Sequence, residues 1–551
     1  MDAMTRLLEA DAITRLVNRD PTLFSDDIDM RQKISQRLGW TDLADKAVSR
    51  LPLIESLASE IAHDGVTDVV LLGMGGSSLA PLVMSSVIGP AGEAPVLHVL
   101  DTTSPTTVAE SLSRLEPRTT AFVLASKSGT TIEPLSLYAI FREWMDADLG
   151  RVAAGKRFIV VTDAGTPLES RRQKDVMRVA ITAPANVGGR FSALSVFGLV
   201  PAGLLGLDVP ALVEHARGME QACHGPAETN PGAELAAWMA DALSAGRNKL
   251  TLVSSATYRS FGLWVEQLVA ESTGKEGTGI VPVLEDGRVP VAAYGADRAL
   301  VVVRGEGDEA AATHAQVARG AGVPVMEYVL SEPIAIGAEF VRWEFAVALT
   351  GVLMGVNPFD EPNVAEAKRA TAGVLDGSVT VPAASADIDG VWVTAAGALA
   401  EENSSSDLAD ALAPLLGALD PGSYLAILAY LADDESLLAP IRDAAAAVSS
   451  RHGVPVCLEV GPRYLHSTGQ LHKGGPGNGA FLILTTRDRA DCTIPGEPFS
   501  LAQLYRAQAE GDLVTLASHG RPVVRLDLPA EEPAALAAVA RALAGPRDSG
   551  S

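Results

Sequence analysis

The chain is short of cysteine, of positive charge and of uninterrupted apolar sequence, and each shortage excludes something. Only Cys223, Cys457 and Cys492 occur in 551 residues. An odd number at wide spacing gives neither a disulfide framework nor a paired-cysteine zinc motif, which suits a reducing compartment. Basic residues number 43 against 68 acidic ones, for a formal net charge of -25. That balance opposes nucleic acid or an anionic membrane as partner, because both demand a basic footprint. One small phosphorylated ligand is still allowed, since backbone N–H groups, hydroxyls and a single cation can hold one phosphate. The most apolar stretch, 196–213, is broken by Pro201, Asp208 and Pro210 and reads as a buried helix and loop, not a membrane span. The first 20 residues carry Asp2, Glu9 and Asp11 and no apolar signal core, so a cytoplasmic protein is expected. No dinucleotide fingerprint, Walker-type lysine turn or metal-ligand spacing is found, so no cofactor and no metal are expected.

What is present points to a large α/β protein. Hydrophobic residues make up 47% and glycines number 51, enough for buried cores and many strand-to-helix turns. Residues 1–50 read as helical and peripheral, with Leu7, Leu8, Ile13 and Leu16 at helical spacing. Short apolar runs then begin at Val69, Val96, Ala121 and Phe158, separated by helical stretches. Such alternation predicts βαβ units and a parallel sheet covered on both faces. A second series has strands at Leu250, Ala299 and Val323, with a helix around 264–271 after the first. A third has strands at Tyr424, Val454 and Ala480, and a polar surface loop is expected at 403–407. The expected division is a helical segment 1–50, α/β domains 51–220 and 221–374, and a C-terminal α/β domain 375–551.

Two turns carry chemistry. Gly73-Met74-Gly75-Gly76-Ser77-Ser78-Leu79 joins a predicted strand to a predicted helix. Glycines there admit a ligand close to the backbone, and the helix start offers free N–H groups to an anion. A tight turn with no ligand would use the same residues. The strand ending at Ala125 leads into Ser126-Lys127-Ser128-Gly129-Thr130-Thr131-Ile132-Glu133. Four hydroxyls and a lysine at the carboxyl end of a strand form a compact set of phosphate donors, at the edge where open α/β sheets bind ligands. Gly76, Ser77, Ser126, Lys127, Ser128, Thr130 and Thr131 are therefore the candidate phosphate-binding residues.

The ordered series of these two turns, Gly188-Gly189-Arg190-Phe191-Ser192, Glu271-Ser272-Thr273-Gly274-Lys275 and Asn357-Pro358-Phe359-Asp360-Glu361-Pro362 resembles the phosphoglucose isomerase family. The region 375–551 resembles the isomerase part of transaldolase–phosphoglucose isomerase fusions, although too few residues precede the first domain for a transaldolase barrel. The resemblance implies two sugar-isomerase-type parallel-sheet sandwiches, helices on both faces, followed by the C-terminal α/β region. It implies isomerisation of glucose 6-phosphate and fructose 6-phosphate through ring opening and a cis-enediol, without a cofactor.

Such chemistry needs a base that carries a proton between carbons 1 and 2, and groups that stabilise charge on the oxygens. Glu271 is the candidate base. Gln267, four residues earlier, shares its helix face and is a candidate substrate contact, and Gly274 is placed to end the helix. The resemblance assigns enediolate stabilisation to Arg190 and assistance in ring opening to Lys368. It also calls for a ring-opening histidine, usually ahead of the Asn-Pro-Phe-Asp segment. His314 is the only histidine in that interval and lacks a supporting motif. The segment Leu465-His466-Ser467-Thr468-Gly469-Gln470-Leu471-His472 fits better, which makes His466 the candidate and His472 the alternate and a substrate contact. Glu361 stands where the family usually has glutamine, pointing away or engaging a sugar hydroxyl. A dual isomerase that also accepts mannose 6-phosphate, and a sugar-phosphate sensor without catalysis, are the alternative readings. The resemblance implies a homodimer. A histidine from the chain's own third region would permit a monomer.

Overall fold

A computed structural model describes all residues except 91, 93, 401–404, 489 and 546–551, and the side chain of residue 488. The loop expected at 403–407 therefore falls partly outside the described residues; Asp407 accepts the Asp410 N–H and starts the helix Leu408–Gly417. Among the described residues fifteen strands form three sheets. The first contains β1 (Asp68–Leu72), β2 (Val96–Leu100), β3 (Thr120–Ala125), β4 (Phe158–Asp163) and β5 (Val179–Ala183), all parallel, in the order β2-β1-β3-β4-β5. The second contains β6 (Lys249–Ser254), β7 (Val281–Glu285), β8 (Arg298–Gly305) and β9 (Val325–Leu330), also parallel, in the order β7-β6-β8-β9. Helices follow most of these strands, as parallel crossovers require, while β7 and β8 are joined only by the short 3-10 turn Val291–Ala293.

The third sheet is mixed. Strands β10 (Ala386–Ile388), β11 (Val391–Gly397), β12 (Tyr424–Ala429), β13 (Val456–Val460), β14 (Gly479–Asp488) and β15 (Pro522–Ala530) take the order β10-β11-β15-β14-β12-β13. The pairs β10–β11 and β11–β15 are antiparallel, and the others are parallel. Inward residues such as Val69, Val70, Leu71 and Leu72 are fully buried, which accounts for the continuous apolar runs of the central strands.

One apolar core runs from the N-terminal helices through the facing sides of the first two sheets. The third region reaches both sheets. Tyr464, Leu471 and Phe481 pack with Ala270, Val281 and Val283 of the second, while Ile494, Leu501 and Leu504 join the far face of the first.

Residues 1–50 are helical, but they are not peripheral. Leu7 and Leu16 are buried, Leu8 faces solvent, and Trp40 is 2% exposed. The Trp40 ring stacks on Phe191 with centroids 4.9 Å apart and meets Phe345 edge-on at 5.0 Å. Leu38 bridges to Val187, so this segment braces the turn that carries Arg190. Among the described residues no helix is long and apolar enough to cross a membrane.

Candidate active site

The catalytic candidates meet on the helix Arg259–Thr273, which follows β6. Its start lacks a side-chain cap, and its end is fixed at Gly274. A Cβ at Gly274 would stand 2.5 Å from the Leu471 Cα, so close packing demands this glycine. Its φ of -81° needs no special backbone freedom.

Glu271 is 8% exposed on the last turn. Gln267 Nε2 donates to its Oε2 at 3.2 Å and to the His466 carbonyl at 2.8 Å. Arg190 Nη1 stands 3.4 Å from Glu271 Oε1. Burial is the main influence on Glu271 and raises its pKa; Arg190 pulls it down, Glu361 pushes it up and His466 pulls it down. Desolvation thus dominates at this carboxyl, and a raised pKa suits a group that is to accept and return a proton.

Arg190 follows two glycines in the short 3-10 turn Gly189–Phe191 and is 5% exposed. Its Nε donates to Ser272 Oγ at 2.9 Å, and Nη2 donates to the carbonyls of Pro358 at 2.6 Å and Asp360 at 2.9 Å. Nη1 donates to Glu361 Oε2 at 3.2 Å. Glu361 therefore does not point away: the guanidinium holds its Oε2. Lys275 fastens the same loop from below, donating to the carbonyls of Asn357 at 2.8 Å and Asp360 at 2.6 Å and to Asp360 Oδ1 at 2.8 Å. Burial lowers the Lys275 pKa to about 8.

His466 ends the turn Arg463–His466 beyond β13, and its Nε2 lies 2.9 Å from Glu133 Oε1. Glu133 is 4% exposed and also accepts Gln508 Nε2 at 2.8 Å. Burial would raise its pKa, but the His466 and Lys368 charges and hydrogen bonding outweigh that and hold it low. A carboxylate fixed on one ring nitrogen orients the imidazole and sets which nitrogen carries the proton. Lys368 is exposed on the helix Pro362–Leu375, close enough for its charge to act on Glu133. Gln470 ties this helix to the Glu271 helix, donating to the Gly274 carbonyl at 3.0 Å and accepting the Asn363 N–H at 2.9 Å.

The two candidate phosphate turns flank the cluster. Gly75, Gly76 and Ser77 form a buried 3-10 turn after β1. A Cβ on Gly75 would sit 2.7 Å from Gln267 Nε2 and 3.0 Å from the His466 carbonyl. In the loop after β3, Ser126 Oγ lies 3.1 Å from Thr131 Oγ1 and accepts the Gly129 N–H at 3.2 Å. Thr130 Oγ1 donates to Ser128 Oγ at 3.0 Å, and these two residues are exposed. Lys127 pairs with Asp163 at the end of β4, and burial lowers its pKa.

His472 does not reach this site. It is 2% exposed, with Nδ1 3.0 Å from the Tyr424 hydroxyl and Nε2 3.0 Å from Glu459 Oε2. Both ring nitrogens are engaged inside the third region, so the substrate contact expected there is replaced by a packing role. Glu133, Ser272 and Lys275 were not singled out by sequence reasoning. Glu133 lies in the first turn of the helix Ile132–Leu149, where an acidic residue ordinarily matches the helix dipole, so nothing marked it. Among the described residues no cluster of three or more His, Cys, Asp and Glu could hold a metal ion.

Residues 54–285 match the family model described as phosphoglucose isomerase. A glucose-6-phosphate isomerase of Rubrobacter xylanophilus is 30% identical over 363 residues, covering 57% of this chain and 84% of that protein. One from Cyanothece sp. is 28% identical over 387 residues, covering 61% of this chain and 72% of that protein. A hypothetical protein of Thermus thermophilus of solved structure has a TM-score of 0.58 at 28% identity, over 68% of this chain and 96% of its own. A glucose-6-phosphate isomerase from Chlamydia trachomatis reaches a TM-score of 0.51 at 18% identity, over 66% of this chain and 78% of its own, a likeness of fold alone.

Proposed function

This chain belongs to the phosphoglucose isomerase family, and from that premise we propose that it interconverts glucose 6-phosphate and fructose 6-phosphate through a cis-enediol. The observation that carries the reading is the pair of acid–base units joined by one side chain: Gln267 bonds both Glu271 and the backbone of His466. A sensor needs no buried carboxylate against an arginine, so this arrangement favours an enzyme.

The phosphate is taken by the hydroxyls and N–H groups of 126–131. His466, held by Glu133, opens the ring by moving a proton between the ring oxygen and the O1 hydroxyl, and Lys368 stabilises charge on the ring oxygen. Glu271 then takes the proton from carbon 2 and returns it to carbon 1, while the hydroxyl proton passes from O2 to O1. Arg190, its guanidinium held in place by Ser272 and the 358–361 loop, supplies the positive charge that stabilises the enediolate.

A metal-free coupled assay for fructose 6-phosphate turnover tests this. Glu271→Gln should lower kcat by ~10^2 to 10^4-fold with binding retained. Activity near the wild-type value would reject Glu271 as the base.

The histidine lies in the same chain as Glu133 and Glu271, so one chain carries the whole set, and we extend the proposal to a catalytically competent monomer. Sedimentation of the active species at monomer mass would support it; activity confined to dimers would refute it. The division at about residues 50, 220 and 375, the kinship of 375–551 with fusion isomerases and the cytoplasmic location belong to the same proposal. Three free cysteines support the last.

A further inference from the structure

Glu133 holds His466 through one oxygen only. Its Oε1 lies 2.9 Å from His466 Nε2 and accepts Gln508 Nε2 at 2.8 Å, whereas Oε2 is buried without a partner. A carboxylate served on one side can turn about its Cγ–Cδ bond, so the second donor at Oε1 decides which way it faces. Gln508 supplies that donor from the helix Leu501–Ser518 of the third region, 375 positions along the chain, and is 2% exposed.

A side-chain amide presents a donor and an acceptor in nearly the same shape, and its neighbours decide which group faces where. Thr103, fully buried just beyond β2, donates its hydroxyl to Gln508 Oε1 at 2.5 Å. Nε2 is then left for Glu133. The opposite orientation would set the amide oxygen against the carboxylate oxygen, two acceptors with no proton between them. The same helix grips the turn that carries His466. Asp512, one helical turn after Gln508, accepts the Tyr464 hydroxyl at 2.7 Å and pairs with Lys473 at 2.6 Å. One helix therefore holds both the backbone around the imidazole and the acid that the imidazole meets.

We propose that Gln508, locked by Thr103, is the positioning residue of the His466–Glu133 pair. It keeps Oε1 turned to the ring as an acceptor, so the neutral imidazole carries its proton on Nε2. Nδ1, which makes no hydrogen bond among the described residues, is then the nitrogen that exchanges a proton with the sugar. The proposal rests on the isomerase reading, in which His466 opens the ring.

The tautomer is read without turnover, by long-range proton–nitrogen correlation spectra of the full chain carrying nitrogen-labelled histidine. The chain has nine histidines, and the signals of His466 are those lost in His466→Gln. Wild type should show the neutral ring protonated at Nε2. Gln508→Leu, similar in size but without the donor, should lower the ratio of Nε2-protonated to Nδ1-protonated ring by ~10-fold or more, the worth of a hydrogen bond to a charged acceptor. Thr103→Val frees the amide to turn and should move the ratio in the same direction; Thr103→Ser keeps the hydroxyl and should restore it. Gln508→Leu should also lower kcat for fructose 6-phosphate by ~10-fold, while affinity for arabinonate 5-phosphate, an open-chain acid that needs no ring opening, stays within about twofold. Variants are compared only where they melt as wild type does, and Thr103→Val decides should Gln508→Leu fail to fold. A wild-type ring protonated at Nδ1, an unchanged ratio in Gln508→Leu, or a kcat within about twofold of wild type would overturn the proposal. A wild type without turnover would instead remove the isomerase reading, and the tautomer ratios would still decide whether Gln508 orients the pair.

Discussion

Gly76 and Gly189 stand on opposite sides of one contact, and they should respond to the same substitution in opposite ways. An ideal Cβ on Gly76 falls 2.0 Å from the Gly189 carbonyl oxygen and 2.9 Å from the Arg190 nitrogen. Real Cβ atoms essentially never approach within 3.0 Å, so Gly76→Ala forces the two backbones about 1 Å apart, with no flexible side chain to yield. A displacement of that size between substrate-positioning groups costs ~10^2-fold in rate. Overpacking at a buried backbone contact costs ~1–3 kcal/mol in stability as well. The moving part is the turn bearing Arg190, whose guanidinium is aimed by Ser272 and two carbonyls. A Cβ on Gly189 meets nothing within 4 Å, so Gly189→Ala should leave kcat within about twofold and slightly stabilise the turn. The assay is kcat for fructose 6-phosphate conversion at saturating substrate, alongside denaturant melts. Comparable rates for the two variants would refute the argument that backbone approach at Gly76 sets the position of Arg190.

The negative charge of Glu361 raises the pKa of Glu271, so Glu361→Gln should move the acid limb of the kcat/KM profile to lower pH; an unmoved limb, or one moved upward, removes Glu361 from the base's environment. Glu220, which accepts the N–H groups of Ala44 and Asp45, has its pKa raised from 4.5 to about 7, chiefly by burial. The folded chain then holds that proton more tightly than the unfolded one, so this site's contribution falls as pH rises through that interval, by ~3 kcal/mol in all, and is fully lost above it. Glu220→Gln should flatten urea-unfolding stability between pH 5 and 8, and a variant whose pH slope parallels wild type would count against the assignment.

The parts of the site that were legible in the sequence are those whose chemistry is local. The glycine turn at 73–79 and the hydroxyl loop at 126–131 each hold their candidate phosphate donors within a few residues, between a strand and a helix that periodicity reveals. Glu133 lies two residues beyond that loop, yet its meaning depends on His466, 333 positions away. His472 shows the converse error, since a histidine six residues from His466 shares its motif but faces the third region's interior. Strand β15 escaped notice because Arg525 and Asp527 interrupt its apolar run; both are buried, at 5% and 2% exposure, and paired with Glu510 and Thr485. Pro282 disguised β7 in the same way, since proline argues against a strand. The N-terminal segment looked peripheral because its helices are short. Trp40, which ties it to Phe191 and Phe345, makes contacts that no local pattern displays.

How the third region brings a histidine to a site built by the other two follows from two side-chain contacts with acids, made three residues apart. Arg463 grips Asp101, at the end of β2, through Nε at 2.8 Å and Nη2 at 2.9 Å, and Asp101 is 1% exposed. His466 meets Glu133 beyond β3. Both acids belong to the carboxyl edge of the first sheet, and both of their partners to one turn after β13. A bidentate guanidinium fixes direction as well as distance, so the clamp at Arg463 determines where the imidazole enters. On the other side of the turn, Gln470 and Leu471 close against Gly274, the residue that ends the Glu271 helix. The first sheet supplies the acids, the second the helix of the proposed base, and the turn between them completes the proposed set. The third region is thus a structural condition of the chemistry, and any change that loosens its sheet should reach the histidine before it reaches Glu271.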